Sequence, residues 1–223
     1  HPPSDLPPHS PPLPLPFCLL QVHNRAIHQE WQQQSESINP EYTDARYAEY
    51  GEGVCNTLMY LNEHVVNLDL IEEILGHIDE MGEEGAVLVF LPGFADITTL
   101  LGTLQASRRF GDQSKFRILP LHSSLSPAEQ SEVFERMPPG VRKVVLATNI
   151  AETSITIDDA VYVIDSGRAK QMLFNEAKQM RRLVDVWVSQ AEARQRAGRA
   201  GRVRPGYVFK LYTKHRAMVR MIS

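Results

Sequence analysis

The stretch Gly85-Ala86-Val87-Leu88-Val89-Phe90-Leu91-Pro92-Gly93 constrains the fold more than any other part of the chain. Its apolar run is continuous and rich in β-branched and aromatic residues, and Pro-Gly ends it. That pattern reads as a strand buried on both faces, which belongs in a parallel sheet covered by helices on each side. Phe116 to His122, Val141 to Thr148, Ala160 to Asp165 and Gly206 to Tyr212 read as four further strands. Helical segments lie between them. Asn67 caps one that runs to Ile78 with an acidic polar face, and a second spans about Ala95 to Ala106. A third opens at Ser126-Pro127-Ala128-Glu129, with Ser as N-cap and Pro in the first turn. Strands alternating with helices specify an α/β fold with right-handed crossovers. In such sheets ligands gather at the carboxyl ends of the strands, where the polar motifs of this chain fall.

Two stretches lie outside that scheme. His1 to Pro16 holds 8 of the 15 prolines, so residues 1–23 read as a disordered Pro-rich tail. Residues 24–62 read as a polar linker with a short helix, through which Trp31, Tyr42, Tyr47 and Tyr50 are scattered. The α/β domain is expected over 63–215, and residues 216–223 read as the truncated start of a following region. The chain begins with His rather than Met, as a fragment would.

Composition excludes several classes. No apolar run approaches the ~20 residues of a membrane span, and the N-terminus lacks the basic region of a secretory signal. Cys18 and Cys55 supply neither a disulfide framework nor metal-ligand spacing, so no metal site is expected and a reducing compartment is. The net charge of −4 hides a division. From Arg168 to Ser223 there are 14 Lys and Arg against 3 Asp and Glu, whereas the remainder holds 9 against 24. A basic C-terminal quarter on an acidic body draws polyanions to one surface.

Three stretches carry the chemistry. In Gln195-Arg196-Ala197-Gly198-Arg199-Ala200-Gly201-Arg202, three guanidinium groups and an amide are separated only by Ala and Gly. Ser189-Gln190-Ala191-Glu192 upstream reads as a capping box. A helix continuing from it would bring Gln195, Arg199 and Arg202 onto one face. Glycines cost about 1 kcal/mol each in a helix, and close approach of another backbone or of a ligand is the usual reason to keep them. Guanidinium forks on one face suit polyphosphate oxygens. The second stretch, Ala147-Thr148-Asn149-Ile150-Ala151-Glu152-Thr153-Ser154-Ile155-Thr156-Ile157-Asp158, packs hydroxyls, amides and carboxyls into one loop. Its short donors suit phosphate or ribose oxygens, or cap the loop's own backbone. The third, Lys170 to Phe174 and Leu183 to Val188 with Asn175 to Lys178 between, reads as a β-hairpin.

Taken together, these stretches resemble the DEAH-box RNA helicases of superfamily two. Gln195 to Arg202 is similar to motif VI, Ala147 to Asp158 to motif V and Leu88 to Gly93 to motif IV. The resemblance covers about Val87 to Arg202. It implies a RecA-like parallel sheet sandwiched by helices, the second of two such domains, with the hairpin as an insertion. By that resemblance Gln195, Arg199 and Arg202 act on the phosphates of ATP, and Asp158 and Thr156 contact the nucleotide. Phe134 would stack on adenine; read from its residues alone, it is equally a helix side chain packed on the sheet. Thr148, Asn149, Thr153, Ser123, Ser124, Pro92 and Gly93 would meet the RNA backbone, and Lys178, Arg181 and Arg182 would add phosphate contacts from the hairpin. The chain contains no Gly-x-x-x-x-Gly-Lys-Thr loop and no Asp-Glu-x-His sequence. ATP and its Mg²⁺ would therefore be held largely by an absent first RecA-like domain, and this chain alone would be inactive. RNA, that first domain and a protein activator are the implied partners, in an intracellular setting, cytoplasmic or nuclear. A non-catalytic RNA-binding fragment and a DNA-directed helicase of the same superfamily are the rival readings.

Overall fold

A computed structural model describes residues 39, 42–47, 50–153, 155–175, 179–202, 204–219 and 221. The expectations for the tail 1–23, Cys18, Trp31, Ser154 and Lys178 lie outside these residues. The chain divides into two units, His1–Asn62 and Glu63–Ser223.

The first unit contains helices α1 (Asp44–Tyr47) and α2 (Glu52–Tyr60). Tyr47, Val54 and Leu58 are buried together, with Tyr42, Tyr50 and Cys55 packed around them. Tyr42 and Tyr47 stack at 5.4 Å between ring centres, and the Asn39 amide donates to the Leu58 carbonyl at 3.0 Å. The tyrosines of this polar stretch thus build a small apolar centre, because an aromatic ring removes much apolar surface from water even in a short segment.

The second unit is built on a five-stranded parallel sheet: β1 (Ala86–Phe90), β2 (Phe116–Leu121), β3 (Arg142–Ala147), β4 (Ala160–Asp165) and β7 (Tyr207–Lys210), in the order β2-β3-β1-β4-β7. Every residue of β1 and β4 is buried, as the unbroken apolar runs require of central strands. Alternation then divides the side chains between two faces. On one face Leu88, Phe90, Leu119, Leu121, Val145, Ala147 and Val163 form a single cluster, joined by Val133, Ala151 and Ile157 from the connections above it. Helix α4 (Phe94–Ala106) packs on β2 and β3 through Ile97, Leu100 and Leu104, which lie outside that cluster and so cover the opposite face. Helix α3 (Leu68–Glu80) buries Ile71, Ile74, Leu75 and Ile78; Asn67 caps it by accepting the Leu70 N–H at 2.9 Å. Helices on both faces of an all-parallel sheet give the expected RecA-like sandwich.

A separate antiparallel pair, β5 (Arg168–Asn175) and β6 (Met180–Trp187), forms the hairpin, in register from Arg168 opposite Trp187 to Asn175 opposite Met180. Helix α5 (Pro127–Ser131) begins with a full capping box: Ser126 Oγ accepts the Glu129 N–H, and the Glu129 carboxylate accepts the Ser126 N–H. Two more short helices follow in chain order, α6 (Ile150–Thr153) and α7 (Gln190–Ala197), and α8 (Lys214–Val219) ends the unit.

One expectation fails here. The capping box at Ser189 and Glu192 does start α7, yet the helix stops at Ala197 and does not carry Arg199 and Arg202 onto its face. Gly198 is the C-cap, and Gly201 turns the chain with φ +76°. A Cβ on Gly201 would lie 2.9 Å from the Gly206 nitrogen, and one on Gly206 would lie 2.4 Å from the Gly201 nitrogen and 2.7 Å from the Val161 carbonyl. The glycine pair permits two backbone segments to close on the start of β4, so backbone approach is what retains it.

Candidate nucleotide and nucleic-acid surfaces

The ladder hydrogen bonds continue past the ends of four strands and tie their carboxyl tips together. Thr148 N–H donates to the Leu121 carbonyl, Leu91 N–H to Ala147 and Ser166 N–H to Phe90. This brings Pro92 and Gly93 after β1, Ser123 and Ser124 after β2, and Thr148 and Asn149 after β3 onto one edge of the sheet, on adjacent strands. Ser123, Ser124 and Asn149 are exposed, Thr148 is buried, and Thr153 ends the short helix α6. Ser124 is engaged by His122, whose Nδ1 accepts the Ser124 N–H at 3.1 Å and lies 2.7 Å from its Oγ. Pro92 and Gly93 are buried, and a Cβ on Gly93 would meet the Lys170 side chain at 2.7 Å. Lys170 reaches there from the hairpin, which leaves the same edge just after β4. Arg181 and Arg182 are exposed on opposite faces of the hairpin, across from Phe174 and Leu173.

Four of the other predicted residues lie over one face of the sheet, each beside an anchor in the apolar cluster. Phe134 follows Val133, Thr156 lies between Ile155 and Ile157, Asp158 follows Ile157, and Arg199 precedes Ala200. With their neighbours held down by the core, Phe134 (53% exposed) and Asp158 face water. Gln195 and Arg202 are exposed and Arg199 is half-buried, its guanidinium donating to the backbone carbonyls of Glu152 and Ile155. Burial and then repulsion from Arg202 pull the Arg199 pKa below its ordinary value. Two guanidinium groups that repel one another at a partly desolvated site suit a bound anion, which would relieve both. Among the described residues no group of three His, Cys, Asp or Glu could hold a metal ion. These residues fit a polyphosphate and supply no cage for its Mg²⁺.

Arg196 is the residue whose place the motif does not reveal. Its side chain is fully buried. Nε donates to Glu152 at 2.7 Å, Nη1 to Asp165 at 2.8 Å and to the Arg168 carbonyl at 3.2 Å, and the guanidinium lies 4.9 Å from the centre of the Phe90 ring. Burial opposes its charge, but Asp165 and Glu152 outweigh that and hold its pKa above the ordinary value. One cation serves two carboxylates, so burial still lifts the Glu152 pKa above 4.5, with Arg196 countering only in part. The signal was present in the sequence: Arg196 follows the buried Ala193 by three residues, on the inward side of α7. Lys143 is a second missed residue, a buried charge next to the partly exposed Arg142 at the start of β3.

Tyr212 completes the network, its hydroxyl donating to Asp165 Oδ2 at 3.1 Å. Burial and then the Asp165 charge push this phenol far above its ordinary value of 10.0. A raised folded-state pKa means the native protein holds the proton more tightly than the unfolded chain. Its stabilisation is therefore complete below about pH 10 and declines as pH rises past that value. Urea unfolding between pH 8 and 11 should show falling stability, with a shallower fall in Tyr212→Phe. An equal slope in the two proteins would refute the linkage.

No helix among the described residues is long and apolar enough to cross a membrane. The sequence model of the family described as "Helicase conserved C-terminal domain" matches residues 66–204. The chain is similar to the DExH-box ATP-dependent RNA helicase DExH4, chloroplastic, of Arabidopsis thaliana, at 56% identity over 72% of this chain and 11% of that protein. It is also similar to the human ATP-dependent RNA helicase DHX29, at 49% over 76% of this chain and 13% of that protein. A third relative, the human ATP-dependent DNA/RNA helicase DHX36, is 45% identical over 80% of this chain and 18% of that protein. Among solved structures, the Escherichia coli DExH-box NTPase HrpB superposes with a TM-score of 0.64 at 36% identity, over 73% of this chain and 20% of that one. The chain thus spans less than a fifth of the length of these curated relatives. A parallel sheet carrying a glycine-turned arginine segment over one face, matched by that family model, settles the assignment: this chain belongs to the helicase conserved C-terminal domain family, among the DExH/DEAH-box helicases.

Proposed function

We propose that this domain is the second RecA-like half of an ATP-dependent RNA helicase, forming one wall of an ATP site and part of an RNA track. The supporting observation is the division of its polar residues. Phe134, Thr156, Asp158 and Arg199 rise beside anchors of one apolar cluster, while Ser123, Ser124, Thr148 and Asn149 line the carboxyl edge. A first RecA-like domain of the same polypeptide would hold Mg²⁺ and most phosphate contacts. Across the cleft, Arg199 and Arg202 would meet charge developing on the γ-phosphate, with Gln195 beside them. ATP closes such a cleft and hydrolysis opens it, which moves the strand gripped at the carboxyl edge. A protein activator would act on that opening. Cytoplasm or nucleus is the setting we assign, where RNA and ATP are both abundant.

The reading is tested on the full natural polypeptide by RNA-stimulated ATP turnover, with DNA of the same sequence as the comparator. RNA should stimulate and DNA should do so less; equal stimulation would favour the DNA-directed alternative. Replacing Arg181 and Arg182 together by alanine should weaken RNA binding at every sequence and make the log–log salt dependence shallower by about two. An unchanged slope would remove the hairpin from the RNA track.

A further inference from the structure

Lys143 lies at the start of β3 and is 2% exposed. Its ammonium has three donors, and all three are used. They reach the Val133 carbonyl at 2.9 Å, the Glu135 carbonyl at 2.9 Å and the Asp159 carboxylate at 2.9 Å. The first two partners flank Phe134, Val133 within the 3₁₀ turn Glu132–Phe134 and Glu135 as its C-cap, and the third adjoins Asp158. One buried cation thus joins the segment carrying the exposed aromatic ring to the segment carrying the exposed carboxylate.

Stability alone gives little reason for a lysine here. Burying an ammonium incurs a large desolvation cost, and an apolar side chain in a strand core is often as stabilising as a buried ion pair. Of the two carbonyls the lysine caps, that of Val133 is buried and that of Glu135 part-buried. What the lysine adds is geometry. It ties the backbone on both sides of Phe134 and also anchors the turn that leads from Asp158 into β4.

We infer that Lys143 is a positioning residue, a strut that sets the Phe134 ring and the Asp158 carboxylate at a fixed separation so that they receive the base and ribose of one nucleotide. The inference rests on the ATP-facing reading of this face. The strut acts on the nucleoside and leaves the triphosphate to the arginines.

The test titrates the full natural polypeptide calorimetrically with ATP and, separately, with inorganic tripolyphosphate, which carries the charge without base or ribose. Lys143→Met should lower ATP affinity about tenfold and leave tripolyphosphate affinity unchanged. Phe134→Ala should do the same, and the double variant should bind ATP no more weakly than Phe134→Ala alone, because the lysine works through the ring. Should Lys143→Met fail to fold, Asp159→Ala decides; it severs the strut at its more exposed end and should weaken ATP but not tripolyphosphate. Loss of both ligands alike would mark a merely structural lysine. That result, additive losses with Phe134→Ala, or an unchanged preference for ATP would each overturn the inference and leave the ATP-facing reading standing. An unchanged preference in Phe134→Ala itself would overturn both.

Discussion

Arg199→Ala in the full natural polypeptide should reduce ATP turnover by about 10³-fold or more while RNA binding is largely retained. The size follows from what a guanidinium does at a triphosphate: it meets charge that grows only as the γ-phosphate departs, so its loss falls on turnover more than on substrate affinity. Retention of RNA binding follows from geometry. Arg199 stands beside Ala200 over the face of the sheet, whereas Asn149, Ser123 and Ser124 lie at its carboxyl edge. Arg199 does donate to the Glu152 and Ile155 carbonyls, so some loosening of that loop is expected. Its effect on stability should stay within about 1 kcal/mol, the worth of ordinary hydrogen bonds at a half-exposed site. Lysine at the same position should rescue little, since it lacks the planar fork. Normal turnover in Arg199→Ala would remove the arginine from the ATP site.

The largest loss of stability should come three residues earlier. Arg196→Met leaves Glu152 and Asp165 buried without their shared cation, and breaking a buried pair in this way costs about 3–5 kcal/mol. In a unit of this size that lowers Tm by on the order of 10 °C. The pH dependence has a definite sign. The Glu152 pKa is already raised in the native protein by burial, so the folded state favours its protonated form. That preference contributes fully below its ordinary value of 4.5 and is lost as pH rises through the higher native value. Removing Arg196 raises the native value further. The destabilisation measured by urea unfolding should therefore be greatest near pH 7.5 and smaller near pH 5. Replacing Glu152 and Asp165 by their amides in the Arg196→Met background should recover a large part of the loss, because the stranded charges disappear. A destabilisation independent of pH, or under 1 kcal/mol, would mean that the three charges are solvated rather than buried together.

The arginine segment shows how residues of one type divide into different tasks. Read along the chain, Arg196, Arg199 and Arg202 are three guanidinium groups separated only by Ala and Gly, the last two expected on one helix face with Gln195. Folded, the first is an internal cation, the second bridges a loop at half burial, and the third is exposed. The division comes from where α7 stops. Gly198 and the Gly201–Gly206 contact end the helix after Arg196, so the later arginines leave its axis.

Strands, helix starts and the parallel architecture were legible in the residues, because each follows from a local rule: unbroken apolar runs, Ser and Asn caps, Pro at a first turn. The capping boxes at Ser126 and Ser189 form as their side chains dictate. The carboxyl-edge position of Ser123, Ser124, Thr148 and Asn149 was legible too, since every parallel strand ends at the same edge. Pairings between distant segments were not. Arg196 with Asp165, or Lys143 with Val133 and Asp159, join positions 10 to 31 residues apart, and no periodicity reports such a contact. Local patterning selects the elements through backbone and burial preferences. Which buried charges meet depends on how sheet and connections stack, a property that exists only once the chain has closed on itself.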